Sequence, residues 1–375
     1  MPTTPSPDRL SPASGLSAGT APDRDGDSGP AAAPSPQLLA PARAGSPPVA
    51  ALGNAPVRPA TPDLQLAGYL LAREVTGRPV STPTRELLLR ANESKKEVLQ
   101  RLPYGRANVT TDLAATGNRG FHRLVAARYI AGSTSSLGQA AAHTMAHNAG
   151  LAAYVGSGNC GEFASVAAHV HAQRLQPGER LTVQGGGSEV DHSWVVLNGR
   201  ASPGGTTPRV VLDVWGEGPV VDASDGRFES PTQGQPVTLQ TIDHAQAAEA
   251  SRLFENAAEP SQGTTRRLTT FIDAQARREV EPTGTIYAPT PVVAQAFCQE
   301  AHAAVQAQHD NPEFKRVAAA QARQVAPELA LLPPAQEAVA VQRVIDYAAQ
   351  LDTPHLRRLI APSAKRQRRP PPGDE

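Results

Sequence analysis

Cysteines, net charge and long apolar runs are what this 375-residue sequence is short of, and each scarcity narrows the field. Only two cysteines occur, Cys160 and Cys298, in unrelated contexts, which argues against a disulfide framework and for a reducing working compartment. The 35 Lys and Arg balance the 35 Asp and Glu, so there is no basic excess of the kind nucleic-acid binders carry, and no nucleic-acid partner is expected. No stretch approaches the roughly 18 consecutive apolar residues of a membrane helix, so no integral membrane span is expected. At the amino terminus no basic segment leads into an apolar run, which argues against a Sec-type signal peptide, and Pro2 stands where myristoylation needs Gly. What is present is apolar content of 39%, enough to build a sizeable core.

Composition divides the chain into three parts. Residues 1–62 are dominated by Pro, Ser, Ala, Gly and Thr without helical or strand period, and cannot bury enough apolar surface to offset chain entropy; a disordered leader is expected. Residues 63–360 read as one folded domain. Residues 361–375 form a basic, proline-rich tail, KRQRRPPPGDE, more simply a solvated terminus than a nuclear localisation signal. Within the domain, DLQLAGYLLAREVTG and TRELLLRANESKKEVLQRL have apolar residues at helical spacing. Further helical patterns run over Phe121 to Ile130, Leu137 to Gly150 and Cys160 to Leu175. GERLTVQ, HSWVVL and RVVLDVW then read as strands, and helices are expected again at Ala245 to Asn256, Arg266 to Val280, Pro291 to Gln308 and Pro334 to Leu351. Helices, a run of neighbouring strands, then helices indicate an α+β fold with a small antiparallel sheet, mostly helical elsewhere.

The segment SGNCGEFASVAAHVHAQRL is the richest in chemistry. Phe163, Val166, Ala167, Val170 and Leu175 mark a buried helical stripe, and Gly158, Asn159 and Gly161 cluster at its start, so Cys160 is expected at a helix amino terminus. Unpaired backbone N–H groups and the positive end of the helix dipole favour a thiolate there, a neighbouring imidazolium favours it further, and the Cys160 N–H is a candidate oxyanion donor. Downstream, His192, Trp194 and Val196 share one face of a strand, and the ten-residue connection NGRASPGGTT leads to PRVVLDVWG. A hairpin pairing Val196 with Arg209 places His192 opposite Asp213, a feasible register in which the carboxylate orients the imidazole and the other ring nitrogen faces the thiol. Taken singly, a helical cysteine is usually a small buried hydrophobe and a strand histidine is usually structural; the ordered combination is what points to catalysis.

GNCGE, DHSWVVL and VVLDVWG resemble the catalytic segments of the AvrPphE/HopX family of type III effectors from plant-pathogenic bacteria, within the transglutaminase-like and papain-like thiol enzyme superfamily. The resemblance implies a papain-like or transglutaminase-like core, with Cys160 as nucleophile, His192 as general base and acid, and Asp213 as the residue orienting His192. LPYGRANVTTDLAATGNRGFHRLVAARYI resembles the family's second characteristic region, thought to serve target or cofactor recognition, with Arg106, Asn108 and Asp112 as its polar candidates; a turn followed by a helix cap is the plainer reading of the same residues. The match spans Leu102 to Gly216. It implies a protein exported by the type III system through its unstructured leader, acting in the host cytoplasm or nucleus on a host plant protein, with a host activator as a further partner. Pro2 departs from relatives that carry an amino-terminal acylation motif.

Three functions remain open at this point: a cysteine protease, a transglutaminase or protein-glutamine deamidase, and a non-catalytic adaptor that binds a host regulator. No cofactor and no metal are expected for the covalent chemistry. Asn159 is a candidate second oxyanion donor or a helix cap, and Trp194 a candidate substrate contact. His143 and His147 lie four apart in HTMAH, but Thr144 replaces the Glu of a zinc-protease motif. QGGGS lacks the Lys of a phosphate-binding loop and reads as a turn, Cys298 reads as buried and inert, and Glu162 complements the helix dipole.

Overall fold

The computed structural model describes residues 61–134, 141–186, 190–201, 206–229, 235–308 and 311–352; of the leader expected over 1–62 only Thr61 and Pro62 fall among them, and they belong to a helix, while residues 353–360 of the expected domain and the basic tail lie outside. The fold is mixed α+β and mostly helical, with eleven α-helices and one five-stranded antiparallel sheet among the described residues.

Helix α1 (Thr61–Val75) is buried nearly all round from Pro62 to Ala72, as expected for a helix rich in Leu on every face. It packs against the carboxy-terminal helices α9 (Gln295–Gln308), α10 (Pro312–Val325) and α11 (Pro334–Ala349). Helix α2 (Thr82–Arg101) starts at Ser81, whose Oγ accepts the Thr84 N–H at 3.3 Å, with Pro83 in the first turn. Helices α3 (Thr110–Thr116), α4 (Arg119–Thr134) and α5 (Ala141–Val155) lead to α6 (Cys160–Ala172). Of the predicted stripe, Phe163, Val166, Ala167 and Val170 are fully buried in α6, while Leu175 is buried just beyond its end; α6 packs on the sheet, α2, α5 and α7 (Ala247–Ala258), which precedes α8 (Gln262–Arg277). No helix among the described residues is long and apolar enough to cross a membrane.

The strands are β1 (Arg180–Gly186), β2 (Val190–Asn198), β3 (Arg209–Leu212), β4 (Val221–Asp222) and β5 (Val237–Asp243), in the spatial order β4-β3-β2-β1-β5. The β2–β3 register departs from the expected one: Val196 pairs with Val211 and Asn198 with Arg209, a slide of two residues. Sequence analysis assigned no strand to β5. Its pattern is weak, with Val237, Thr238 and Leu239 all exposed and Ile242 alone buried, and its pairing is irregular opposite Val183 and Gln184. Helix α10 was also unassigned, because its buried face is Phe314, Ala318, Gln321, Ala322 and Val325, in which small and polar residues blunt the pattern. The helix expected from Pro291 begins only at Gln295. Residues 287–294 instead form isolated bridges, Tyr287 with Val109, Pro291 with Glu217 and Val293 with Gly226.

Candidate active site

Cys160 is the first residue of α6 and is half-buried, whereas Cys298 is buried. As the first and second residues of the helix, Cys160 and Gly161 have no carbonyl one turn back within it to accept their N–H groups. The chain enters through Asn159 in an extended conformation, and Glu162 folds back so that its Oε2 accepts the Asn159 N–H at 2.9 Å. Asn159 is the N-cap residue, its side chain turned toward the Glu162 backbone N–H as the other half of a capping box. Before it, the Gly158 carbonyl accepts the Ala107 N–H at 2.9 Å, and a Cβ on Gly158 would lie 2.6 Å from Glu162 Cβ, so a side chain here would displace the residue that closes the helix start. Arg128 of α4 donates to both Glu162 oxygens, at 2.8 and 3.0 Å.

His192 and Asp213 meet across the β2–β3 pair. The slide of two residues puts Asp213, just beyond β3, level with Trp194; because side chains alternate with a period of two, it stays on the face that carries His192. The carboxylate spans the diagonal, and His192 Nε2–H donates to Asp213 Oδ2 at 2.7 Å. Asp213 Oδ1 accepts the Gly216 N–H at 2.8 Å. That turn requires glycine: a Cβ on residue 216 would lie 2.8 Å from Asp213 Oδ2 and 2.6 Å from Val292. Since an ionised carboxylate only accepts, the neutral imidazole carries its proton on Nε2 and its lone pair on Nδ1. Nδ1 is buried and has no hydrogen-bond partner of normal geometry.

Electrostatics tie the three groups together. Burial alone would disfavour the charged imidazole, but Asp213, by charge and hydrogen bond, and then Cys160 outweigh it and hold the His192 pKa above its usual value. Asp213 is likewise penalised by burial, yet His192, the Gly216 N–H and the more distant Lys95 hold it below the usual carboxylate range. The imidazole sits among three aromatic rings, with centroids at 4.4 Å for Phe228, 5.0 Å for Trp215 and 5.8 Å for Trp194. Trp194 is fully buried and its Nε1–H donates to Glu229 at 2.9 Å, so it forms the wall behind His192 rather than a surface open to substrate.

Arg106, Asn108 and Asp112 are buried and spend their polar groups on the same loop. Arg106 binds Asp112 bidentately, pairs with Glu217 at 2.6 Å and donates to the Trp215 carbonyl at 3.0 Å. Trp215 Nε1–H donates to Asn108 Oδ1 at 3.2 Å. In this placement they brace the turn that follows Asp213. Tyr287, which sequence analysis did not single out, packs edge-on against Trp215 at 5.6 Å and donates its hydroxyl to Asp191, next to His192. Phe228, Glu217 and Arg128 were missed as well; Arg128 lies within the quoted segment LPYGRANVTTDLAATGNRGFHRLVAARYI but was not singled out, and Phe228 and Glu217 come from a short turn and a loop with no local motif.

His143 and His147 lie apart from this constellation. They line a cavity of about 400 Å³ with Arg252, Asn256 and Ser261. Among the described residues no group of three or more His, Cys, Asp or Glu side chains is arranged to hold a metal. Comparison of the chain with protein-family models, curated proteins and solved structures finds no match.

Proposed function

We propose that this chain is a cysteine protease with a papain-like or transglutaminase-like catalytic core, acting on protein amide bonds through a covalent thioester. The observation that carries the reading is the buried His192, held to Asp213 through Nε2 and favoured in its charged form by Asp213 and by a half-buried Cys160 at a helix start.

In this mechanism Cys160 Sγ attacks the carbonyl carbon of the substrate, its proton having passed to His192 Nδ1. The protonated imidazole then gives that proton to the leaving amine as the C–N bond breaks, leaving the acyl group on sulfur. Water attacks the thioester with His192 Nδ1 taking its proton, and the thiol is regenerated as the acid product leaves. Asp213 holds the ring orientation and tautomer throughout and stabilises the imidazolium. The Cys160 N–H, with no acceptor within the helix, supplies one donor to the tetrahedral oxyanion.

The setting we propose follows the resemblance to the AvrPphE/HopX effectors: export by a type III system and action on a host plant protein in the host cell. Incubation of the purified protein with plant extract, followed by mass spectrometry of the products, tests the reading. New peptide termini that vanish with Cys160→Ala and with His192→Ala are the expected result. A gain of about 1 Da at Gln residues, the mass change of amide-to-acid hydrolysis at a side chain, would assign deamidation instead. Products that survive Cys160→Ala would remove the thiol from the chemistry altogether.

A further inference from the structure

We propose that Arg128 is a specificity-determining residue of the Cys160 site, presenting its guanidinium to a carboxylate of the substrate that lies beside the amide under attack. The inference rests on the thiol-enzyme reading above and adds a substrate class to it: protein segments with an acidic side chain next to the bond that is attacked.

Three observations place the cation. Glu162, two residues after the nucleophile, accepts Arg128 Nε and Nη2 at 2.8 and 3.0 Å while also accepting the Asn159 N–H at 2.9 Å, so the pair is anchored to the backbone that carries Cys160. The pair is exposed unevenly: the Arg128 side chain is 56% accessible and that of Glu162 16%. Its anionic end is therefore turned into the helix start and its cationic end into solvent. Nη1 and the second hydrogen of Nη2 remain to donate, the donors with which arginine takes a carboxylate. Burial would weaken the charge on Arg128, but Glu162 and, in the same direction, a negative charge at Cys160 strengthen it, which puts the guanidinium within electrostatic reach of the sulfur.

The other side of the thiol is built differently. Tyr287, half-buried, donates its hydroxyl to the exposed carboxylate of Asp191, which raises the phenol above its usual value. A carboxylate-bearing group arriving at Cys160 thus meets a cation on the α4 side and an acid on the β2 side. Its favourable placement is toward Arg128.

The probes are iodoacetate and iodoacetamide, which differ only in carrying a carboxylate or a neutral amide. Both alkylate a thiolate by forming an S–C bond as iodide leaves. Rates at Cys160 are measured on the folded full-length protein by peptide mass spectrometry, which separates Cys160 from Cys298. The ratio of the iodoacetate rate to the iodoacetamide rate is expected to fall by about threefold in Arg128→Gln at low salt, as one unit charge at roughly 6 Å in water-like surroundings gives. It is expected to stay near the wild-type value in Arg128→Lys, and to fall in the wild type at about 1 M salt, where the screening length shrinks to ~3 Å. An equal ratio in wild type and Arg128→Gln would overturn the assignment of Arg128. Failure of the thiol-enzyme reading shows separately, as an iodoacetamide rate at Cys160 indifferent to His192→Ala.

Discussion

Replacing Asp213 by Asn removes one acceptor from a side chain that needs two. Asp213 accepts His192 Nε2–H on one oxygen, at 2.7 Å, and the Gly216 N–H on the other, at 2.8 Å. An amide has a single acceptor oxygen. If that oxygen keeps Gly216, the NH2 group faces His192, and the neutral ring must move its proton to Nδ1, the nitrogen that receives the thiol proton in the proposed reaction. If the oxygen keeps His192, two donors oppose each other at Gly216, and a buried unsatisfied N–H costs about 1–3 kcal/mol. In the proposed reaction the first arrangement removes the working tautomer, a loss that lowers turnover by about 10⁴-fold in a Ser-His-Asp triad. The charge loss also has a stability cost, since removing one partner of a buried pair is worth about 3–5 kcal/mol. The pH dependence has a definite sign. His192 has a raised folded pKa, so its share of the stability is complete below about 6.5, its unfolded value, and disappears as pH rises through the raised value. Asp213 has a lowered folded pKa, so its share is complete above about 3.9 and disappears as pH falls through the lowered value. The stability deficit of Asp213→Asn is therefore expected to be largest between about pH 4 and 6.5 and to shrink toward alkaline pH. Urea unfolding followed by tryptophan fluorescence reads this well, because both tryptophans of the chain, Trp194 and Trp215, contact the His192 ring. A deficit that does not change between pH 6 and pH 9, together with an unaltered alkylation rate at Cys160, would refute the coupling of the three groups.

Arg106→Ala removes the buried guanidinium that pairs with the Asp112 and Glu217 carboxylates and strips a donor from the Trp215 carbonyl, so a loss of about 3–5 kcal/mol is expected, read as a lower urea midpoint. Against a total stability of about 5–15 kcal/mol this brings the variant close to unfolding, and a change below 1 kcal/mol would mean that the brace is not coupled to the fold. For the second cysteine, burial pushes the Cys298 thiol up to about 12, so a thiol reagent at neutral pH is expected to label Cys160 alone in the native protein and both cysteines in urea. Equal labelling of both thiols in the native state would contradict that burial.

Much of the fold was legible because the buried stripes of its helices repeat at three- and four-residue spacings, as in Phe163, Val166, Ala167 and Val170 of α6. Where the signal was weak, the cause is local. Helix α10 buries two alanines and a glutamine among its five buried residues, which leaves little contrast between its faces. Strand β5 lies at a sheet edge, and its apolar residues are split between an exposed pair, Val237 and Leu239, and the buried Ile242, so they make no single apolar face. Residues 291–294 carry apolar side chains that suit a helix, but their backbone groups are taken by Glu217, Asp225 and Arg227, and bridge pairing wins.

The hairpin shows why the pairing of His192 with Asp213 survived an incorrect register. A slide of one residue would have sent Asp213 to the opposite face of the sheet from His192; the actual slide is two, which keeps the face and changes only the offset. Diagonal neighbours on one face are about 7–8 Å apart, a gap that an imidazole and a carboxylate reaching toward each other can span. What the sequence could not supply is the force that holds the diagonal. The turn after β3 must bring Gly216 back beneath the Asp213 carboxylate, and that turn is fastened by Arg106 and Asn108 from a segment more than a hundred residues earlier. Arg106, Asn108 and Asp112 are recognisable as a polar cluster in sequence, but a cluster that binds a partner and one that braces a loop have the same composition. Burial separates them: Arg106 and Asp112 are about as inaccessible as the core leucines, and their charges are satisfied by each other, by Glu217 and by the Trp215 carbonyl. The carboxylate that orients His192 thus depends on a buried ion pair formed outside the hairpin.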